Sequence, residues 1–290
     1  YNQIMKTVRK EGKEKALLNM MKINNVTKKI GLDLSKKFAK QITDTFGGRI
    51  RTFIAGGAAI PEDVFNFFAD LGIISVQGYG LTESAPMVAL NPDVRKDTKL
   101  KSAGLVIPGI ECKIDNPDEN GIGEICFRGP NIMLGYYKDE ENTAKTIIDG
   151  WLHTGDLGYL DDDNYVYITG RSKNVIITAN GKNVFPEELE SYIKSSQYIE
   201  EAMVWAEQTD RVNSGEIVAT IKPSEENVIE RLGEDYTEEQ LTDLIQGVVD
   251  DVNKDKPLFK KIHRIVIRKR DFVVSSSMKV KRFIDENKEA

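Results

Sequence analysis

The residues of this sequence that could bind a ligand are concentrated in two glycine-containing loops, 56–58 and 78–84. Each loop follows a predicted β-strand, at 49–55 and 73–77, and a predicted helix lies between the two strands. Such strand–helix–strand units are nearly always right-handed and parallel. Because ligands bind beyond the carboxyl ends of the strands in an open parallel sheet, both loops should line one crevice.

The cysteines and histidines form no recognisable metal site in the sequence. Cys112 and Cys126 are the two cysteines, His153 and His263 are the two histidines, and none of them has the spacing of a zinc site. Two cysteines in a chain of this length favour reduced thiols. The acidic run 161–164 lacks the glycine and distal glutamate of a calcium-binding EF-hand loop, which favours a polar hairpin turn.

Charge and hydropathy limit the classes of function. The formal net charge is −6, from 46 acidic and 40 basic residues, which argues against a nucleic-acid partner. No apolar run approaches the roughly 20 residues that cross a bilayer, and we expect no signal peptide. We therefore expect a cytoplasmic protein. The lysine-rich first 40 residues favour a solvated helix face, with contact to a membrane surface as the alternative.

Three kinds of secondary structure must position these residues. Residues 1–46 show helical periodicity, and residues 100–170 read as short antiparallel strands that could form a small barrel. From about residue 173 a mixed α+β pattern begins, with a helix starting at Pro186 and another at 237–253. Further strands are expected near 201–206, 216–221 and 262–267, and a polar tail closes the chain.

Four segments match the sequence motifs of one enzyme family and occur in the same order. Residues 77–84, QGYGLTES, contain Y-G-x-T-E, and residues 123–136 contain G-E-[IL]-x-x-[RK]-G…G-Y. Residues 151–158, WLHTGDLG, match W-[FL]-x-T-G-D-[LI]-G, and residues 170–190 match a hinge and the helix after it. From about residue 49 to its end, the chain resembles the AMP-forming adenylating enzymes, which include acyl-CoA synthetases, luciferases and peptide-synthetase adenylation domains. The sequence of the hinge segment, residues 170–190, is most similar to that of long-chain fatty-acid–CoA ligases.

The resemblance implies a fold class of α/β plus α+β. Residues 1–171 would be the C-terminal part of a large α/β nucleotide-binding domain with a β-barrel-like subdomain at about 100–170, and residues 172–290 a small mobile α+β lid. It also implies a reaction in which a carboxylate attacks the α-phosphate of ATP with Mg²⁺ as cofactor, after which the thiol of CoA displaces AMP. The expected partners are a long-chain fatty acid, ATP and CoA.

The resemblance also assigns roles to residues of the first expected domain. Thr82 would contact the α-phosphate, and Glu83 would hold Mg²⁺, as suits a hard cation. Asp156 would accept hydrogen bonds from the ribose hydroxyls, and Arg171 would contact the ribose or phosphate side. The remaining candidates for nucleotide binding are Gly56, Gly57, Ala58, Gly78, Tyr79 and Gly80.

In the expected lid, Lys173 matches the hinge residue whose backbone rotation swings the domain between the two half-reactions. Lys279 matches the catalytic lysine that bridges the carboxylate and the α-phosphate, although Met278 stands where the family has glycine. Gly181 would line the tunnel for the pantetheine arm of CoA. His153, together with Trp151, is interpreted as a packing residue.

One family element has no counterpart in these 290 residues. The glycine-, serine- and threonine-rich loop ending in Pro-Lys, which wraps the β- and γ-phosphates of ATP, does not occur. We therefore expect a truncated enzyme that does not form acyl-AMP alone. Two alternatives stay open: the acyl acceptor is a carrier protein instead of CoA, or the chain is a nucleotide-binding module without turnover.

Overall fold

The computed structural model describes residues 1–28, 30–32, 40–57, 60–94, 97–178, 180–207, 216–275 and 279–290. Ala58 and Met278 lie outside these ranges. The chain forms two compact units. The first unit contains Tyr1–Thr154 and Gly158–Ile168, and the second contains Gly155–Leu157 and Thr169–Ala290. The domain boundary expected between residues 171 and 172 stays a prediction.

The described part of residues 1–46 is helical, as predicted. Helix α1 spans Asn2–Lys10, α2 spans Glu14–Lys28 and α3 spans Lys40–Thr45. Met5 of α1 and Leu17 of α2 are buried in one apolar cluster with Phe67 and Phe68. The helices therefore pack on the strand–helix–strand unit by burying a narrow apolar stripe. No helix among the described residues combines the length and the apolar character needed to span a membrane.

The predicted strand–helix–strand unit is confirmed. Strand β1 (Thr52–Gly56) pairs in parallel with β2 (Ile74–Tyr79), and helix α4 (Glu62–Asp70) connects them. Helix α4 starts after Pro61 with two acids in its first turn, where the helix dipole favours them. Strand β2 runs two residues further than predicted because Gly78 and Tyr79 also pair with β3. Both residues lie in the strand and not in the loop after it.

The predicted antiparallel strands join the same sheet. They are β3 (Ala89–Leu90), β4 (Gly104–Val106), β5 (Glu111–Asp115), β6 (Gly123–Arg128), β7 (Ile147–Ile148), β8 (Trp151–Leu160) and β9 (Tyr165–Arg171). The sheet order is β1-β2-β3-β4-β9-β8-β6-β5, and β7 pairs with β8. The short helix α5 (Glu140–Thr146) precedes β7. Phe127 and Ile125 of β6 are fully buried on one face of this sheet.

The second unit is the predicted α+β structure. Its strands are β10 (Ile176–Ile177), β11 (Asn183–Val184), β12 (Ile199–Glu207), β13 (Glu216–Pro223) and β14 (Arg264–Ile267). Its helices are α6 (Pro186–Lys194), α7 (Glu225–Leu232) and α8 (Glu238–Asn253). Strand β13 pairs antiparallel with β12 and parallel with β14. Leu189 of α6 and Ile245 of α8 are fully buried in the core of this unit.

Gly80 is required by the protein's own backbone. A Cβ atom at this position would lie 1.8 Å from the Pro86 carbonyl oxygen and 2.7 Å from the Met87 Cα. The chain turns back here, so that the Val88 amide donates to the Tyr79 carbonyl at 2.9 Å. Gly80 is a candidate for nucleotide binding, and the close approach of Pro86 and Met87 gives a second reason for a glycine here.

The steric need for Gly80 predicts the effect of one methyl group. Gly80→Ala should lower the free energy of unfolding by about 3 kcal/mol, the upper end of the usual cost of overpacking, since backbone atoms cannot yield as a side chain can. Gly56→Ala is the matched control, because its Cβ would lie 3.9 Å from the Gly78 carbonyl oxygen, an ordinary contact. The control should change stability by less than about 1 kcal/mol. Urea denaturation of both variants tests this, and equal losses would contradict it.

Candidate functional site

The two glycine loops of the first unit start side by side. Gly56 at the end of β1 is the pairing partner of Gly78 in β2. Gly57 follows with a φ of 86°, a conformation that glycine adopts without strain. The chain returns to the sheet where the Ile60 amide donates to Gln77 Oε1 at 3.0 Å. The structure thus brings these loop ends together at the carboxyl ends of two parallel strands.

Thr82 and Glu83 lie in a short 3₁₀-helix, Thr82–Ser84, just after β2. Its third residue, Ser84, is fully buried, and its Oγ accepts from the Leu81 amide at 3.0 Å. The turn is also fixed from outside, because Asn131 Nδ2 donates to the carbonyls of Ser84 and Met87 at 2.7 and 2.9 Å. Buried polar contacts therefore anchor the turn and leave Thr82 exposed to solvent.

The Glu83 carboxylate is oriented by a tyrosine that sequence reasoning had not assigned a role. Tyr136 Oη donates to Glu83 Oε1 at 2.8 Å, and the Met133 amide donates to the Glu83 carbonyl at 2.8 Å. Partial burial and the hydrogen bond to Glu83 raise the pKa of Tyr136, so the phenol keeps the proton it donates. A carboxylate has two oxygens, and one held in place suits the binding of a hard cation such as Mg²⁺.

Asp156 and Arg171 meet in the second unit. Arg171 Nε lies 2.8 Å from Asp156 Oδ1, and the Asp156 side chain is only 5% exposed. Asp156 lies in the middle of β8, whose alternating burial turns Thr154 and Asp156 inward. A buried carboxylate needs a partner, and Arg171 at the end of β9 supplies it. Two residues predicted to bind one nucleotide are therefore in contact.

Lys173, the predicted hinge residue, is exposed in a single 3₁₀ turn, Ser172–Asn174. The next side chain is fixed, since Asn174 Nδ2 donates to Glu187 Oε1 at 2.5 Å in helix α6. Gly170, on the other side, packs on the same carboxylate, where a Cβ would lie 2.9 Å from Glu187 Oε2. Anchored residues thus flank an exposed Lys173.

Gly181 lies in an exposed turn between β10 and β11. Its φ is 69°, and its amide donates to the Thr178 carbonyl at 2.8 Å. Lys279 lies in another turn of the same unit, defined here as the Lys279 turn (residues 273–275 and 279–281). In this turn, the Ser275 amide donates to the Lys279 carbonyl at 2.8 Å. The Lys279 side chain is exposed.

A buried asparagine fixes both strands of the Lys279 turn. Asn287 is fully buried, and its Nδ2 donates to the carbonyls of Val273 and Lys281, both at 2.9 Å. Its Oδ1 accepts from the Val273 amide at 2.8 Å. The predicted polar tail thus supplies an interior contact at this residue.

Arg282 links the same turn to the core of the second unit. Its guanidinium donates to both carboxylate oxygens of Glu190 in α6, which is 5% exposed, and to the Val204 carbonyl in β12. Burial raises the pKa of the Glu190 carboxyl, and the Arg282 guanidinium opposes that shift. The pair therefore places the Lys279 turn against a helix and a strand of the core.

Three side chains of types that can bind metal ions come together in the structure, although their spacing in the sequence gives no sign of it. His153 Nδ1 lies 2.8 Å from Glu124 Oε2 and 3.5 Å from Cys126 Sγ in the first unit. The three residues are brought together by the neighbouring strands β6 and β8, which a search for local spacing cannot see. Burial, with the charges of Glu124 and Asp115, raises the pKa of Cys126 to about 12.

The candidates divide between the two units. The first unit contains the candidates from the two glycine loops: Gly56, Gly57, Gly78, Tyr79, Gly80, Thr82 and Glu83. The second unit contains Asp156, Arg171, Lys173, Gly181 and Lys279.

Two family profiles match the chain. Residues 14–137 match the AMP-binding enzyme family, and residues 173–283 match the AMP-binding enzyme C-terminal domain. Over 141 residues the chain is 45% identical to the long-chain-fatty-acid–CoA ligase ACSBG1 of Rattus norvegicus. The aligned region covers 48% of this chain and 19% of that protein. Over 235 residues it is 39% identical to 4-coumarate-CoA ligase 2 of Narcissus pseudonarcissus, covering 75% and 38%. The chain thus spans well under half the length of these relatives.

Solved structures show the same fold. The o-succinylbenzoate CoA synthetase (MenE) of Bacillus subtilis in complex with ATP and magnesium ion matches with a TM-score of 0.66 and 26% identity, covering 83% of this chain and 46% of that one. Its complex with the acyl-adenylate intermediate matches with a TM-score of 0.67 and 25% identity, covering 86% and 49%. The predicted α/β plus α+β class is confirmed.

The burial of the Glu190–Arg282 pair predicts a large cost for removing one partner. Arg282→Ala should lower the free energy of unfolding by about 3–5 kcal/mol, because it leaves a buried carboxylate without its guanidinium. The double variant Glu190→Leu/Arg282→Met should be more stable than Arg282→Ala, since it leaves no buried charge at position 190. Chemical denaturation measures both.

Lys269→Ala is the control for that comparison. Its pair with Glu238 is 75% and 85% exposed, so its loss should cost less than about 1 kcal/mol. If Arg282→Ala and Lys269→Ala had equal effects, the pair would not hold the turn as described.

Proposed function

Because the chain belongs to the AMP-binding enzyme family, we propose that it forms part of an enzyme that activates a carboxylic acid as acyl-AMP and transfers the acyl group to CoA. The observation that carries this proposal is the buried Asp156 paired with Arg171. A fixed carboxylate can accept hydrogen bonds from two neighbouring ribose hydroxyls, and the adjacent guanidinium suits a phosphate.

Long-chain fatty acids are the proposed substrate class. Support comes from the similarity to the rat long-chain-fatty-acid–CoA ligase and from the amino-acid sequence of the hinge segment. The 4-coumarate-CoA ligase similarity covers more of this chain, at lower identity. Comparing thioester formation from palmitate and from 4-coumarate by the enzyme that contains this chain separates the two substrate classes.

The proposed chemistry divides among the residues by charge. Glu83, held by Tyr136, suits a Mg²⁺ ion, which when bound would neutralise phosphate charge in the reaction. Thr82 is exposed beside it and can donate its hydroxyl to the α-phosphate. The ammonium of Lys279 would stabilise the charge that develops between the carboxylate and the α-phosphate.

Lys173 is proposed as the residue about which the part of the chain that follows it rotates between the two half-reactions. The supporting contrast is local: Lys173 is exposed, whereas Gly170 and Asn174 on either side contact the Glu187 carboxylate. Rotation about Lys173 would keep the hydrogen bond between Asn174 and Glu187, which both follow the hinge, and would separate Gly170 from Glu187. Gly181, on an exposed turn, is proposed to approach the pantetheine arm of CoA after that rotation.

Asp156→Asn should weaken AMP binding by about tenfold or more, since a hydrogen bond to a charged group contributes roughly 1.5–3 kcal/mol. Isothermal calorimetry with AMP measures the effect. Asp162→Asn is the matched control, because Asp162 is an exposed acid in the turn after β8 and should leave the affinity unchanged. Equal AMP affinities for wild type and Asp156→Asn would remove the basis for the proposed ribose contact.

We also expect this 290-residue chain to release no pyrophosphate from ATP with palmitate. It spans 19% and 38% of the two curated relatives and has no glycine-rich loop ending in Pro-Lys. AMP binding by the same sample serves as the control for folding. Release of pyrophosphate would overturn the expected incompleteness while supporting the adenylation chemistry itself.

A further inference from the structure

A cluster outside the proposed nucleotide site joins three chemically different side chains. Glu124 and Cys126 lie two residues apart on β6, so their side chains share one face of the sheet, and His153 comes from β8. The separations are 2.8 Å from His153 Nδ1 to Glu124 Oε2 and 3.5 Å from His153 Nδ1 to Cys126 Sγ. All three potential ligand atoms lie within 4.8 Å of one another.

The two separations that involve His153 Nδ1 can be compared with those around one tetrahedral cation. Bonds of about 2.3 Å to sulfur and about 2.0–2.1 Å to nitrogen or oxygen place ligand atoms roughly 3.3–3.6 Å apart. The observed distance between sulfur and nitrogen already has this value. The distance between nitrogen and oxygen is that of a hydrogen bond and would need to open by about half an ångström.

Exposure gives the cluster an entry side. Cys126 is fully buried, whereas the side chains of His153 and Glu124 are 15% and 28% exposed. A cation approaching from solvent would meet the imidazole and carboxylate first and the sulfur last. Three protein ligands on one side leave a fourth position for water, the arrangement of an open zinc site.

The surrounding charges suit a divalent cation. Lys113 is the strand partner of Cys126 and Asp115 is the partner of Glu124. Lys113 Nζ forms an ion pair with Asp115 Oδ1 at 3.0 Å, which largely offsets the nearest positive charge. Binding would release the thiol proton to solvent, and the thiolate and the Glu124 carboxylate would then balance the charge of the cation.

We propose that Glu124, Cys126 and His153 form a binding site for a thiophilic divalent cation of the Zn²⁺ class. Sulfur and imidazole ligands select such ions over Mg²⁺, which prefers oxygen ligands alone. The site is independent of the proposed nucleotide chemistry and of its Mg²⁺ at Glu83. It would be missed by a search for zinc motifs because its ligands lie on separate strands.

Cobalt(II) absorption tests the proposal, because a cobalt–thiolate bond gives a near-ultraviolet charge-transfer band that other ligands do not. The untagged, reduced chain should bind one equivalent of Co²⁺ with this band, Zn²⁺ should displace it, and excess Mg²⁺ should not. In His153→Gln and Glu124→Gln, cobalt affinity should fall by at least about tenfold, as loss of even an outer partner can cost that much.

The two cysteines give a matched pair of variants. Cys112→Ala should keep the band, since Cys126 is then the remaining thiol, and Cys126→Ala should lose it. Circular dichroism and melting temperature without metal report whether each variant folds. If Cys126→Ala does not fold, the Cys112→Ala band still identifies the sulfur. No band in the wild type, a band that survives in Cys126→Ala, or a band that Cys112→Ala removes would each overturn the proposal.

Discussion

Polar groups taken out of water must keep a partner, and in this chain the partner usually comes from a distant segment. Asp156 is held by Arg171, Glu190 by Arg282, and the Lys279 turn by the amide of Asn287. Each contact joins a candidate functional residue, or the segment that carries it, to a buried part of the fold. The candidates are positioned less by their own secondary structure than by these long-range polar contacts.

The same constraint explains which ion pairs position a segment of the chain and which contribute little. Surface ion pairs such as Lys269–Glu238 are solvated and screened, so they contribute little. The buried Glu190–Arg282 pair need not stabilise the fold relative to apolar residues of similar size. What it supplies is geometry, because two hydrogen bonds to a carboxylate fix the direction of the chain on which Lys279 lies.

Local sequence patterns predicted the secondary structure where apolar residues recur at regular spacing. Helices α8 and α4 were predicted because their apolar residues, such as Leu241 and Ile245 in α8, repeat at helical spacing. Helices α5 and α7 were missed because they are short and charged, with Val228 the one buried residue described in α7. The fixed environments of Glu83 and Arg282, like the cluster around Cys126, depend on contacts between distant segments. No local pattern in one sequence reports such contacts.

Strand β8 belongs to both compact units, since residues 151–154 and 158–160 count with the first and Gly155–Leu157 with the second. The chain therefore crosses between the units three times, although a family profile of the C-terminal domain starts at residue 173. A recombination event that exchanged everything after residue 172 would carry Lys279 to a new host and leave Asp156 and Arg171 behind. The segment after residue 172 could therefore be exchanged as one piece only into a recipient that already has a strand equivalent to β8.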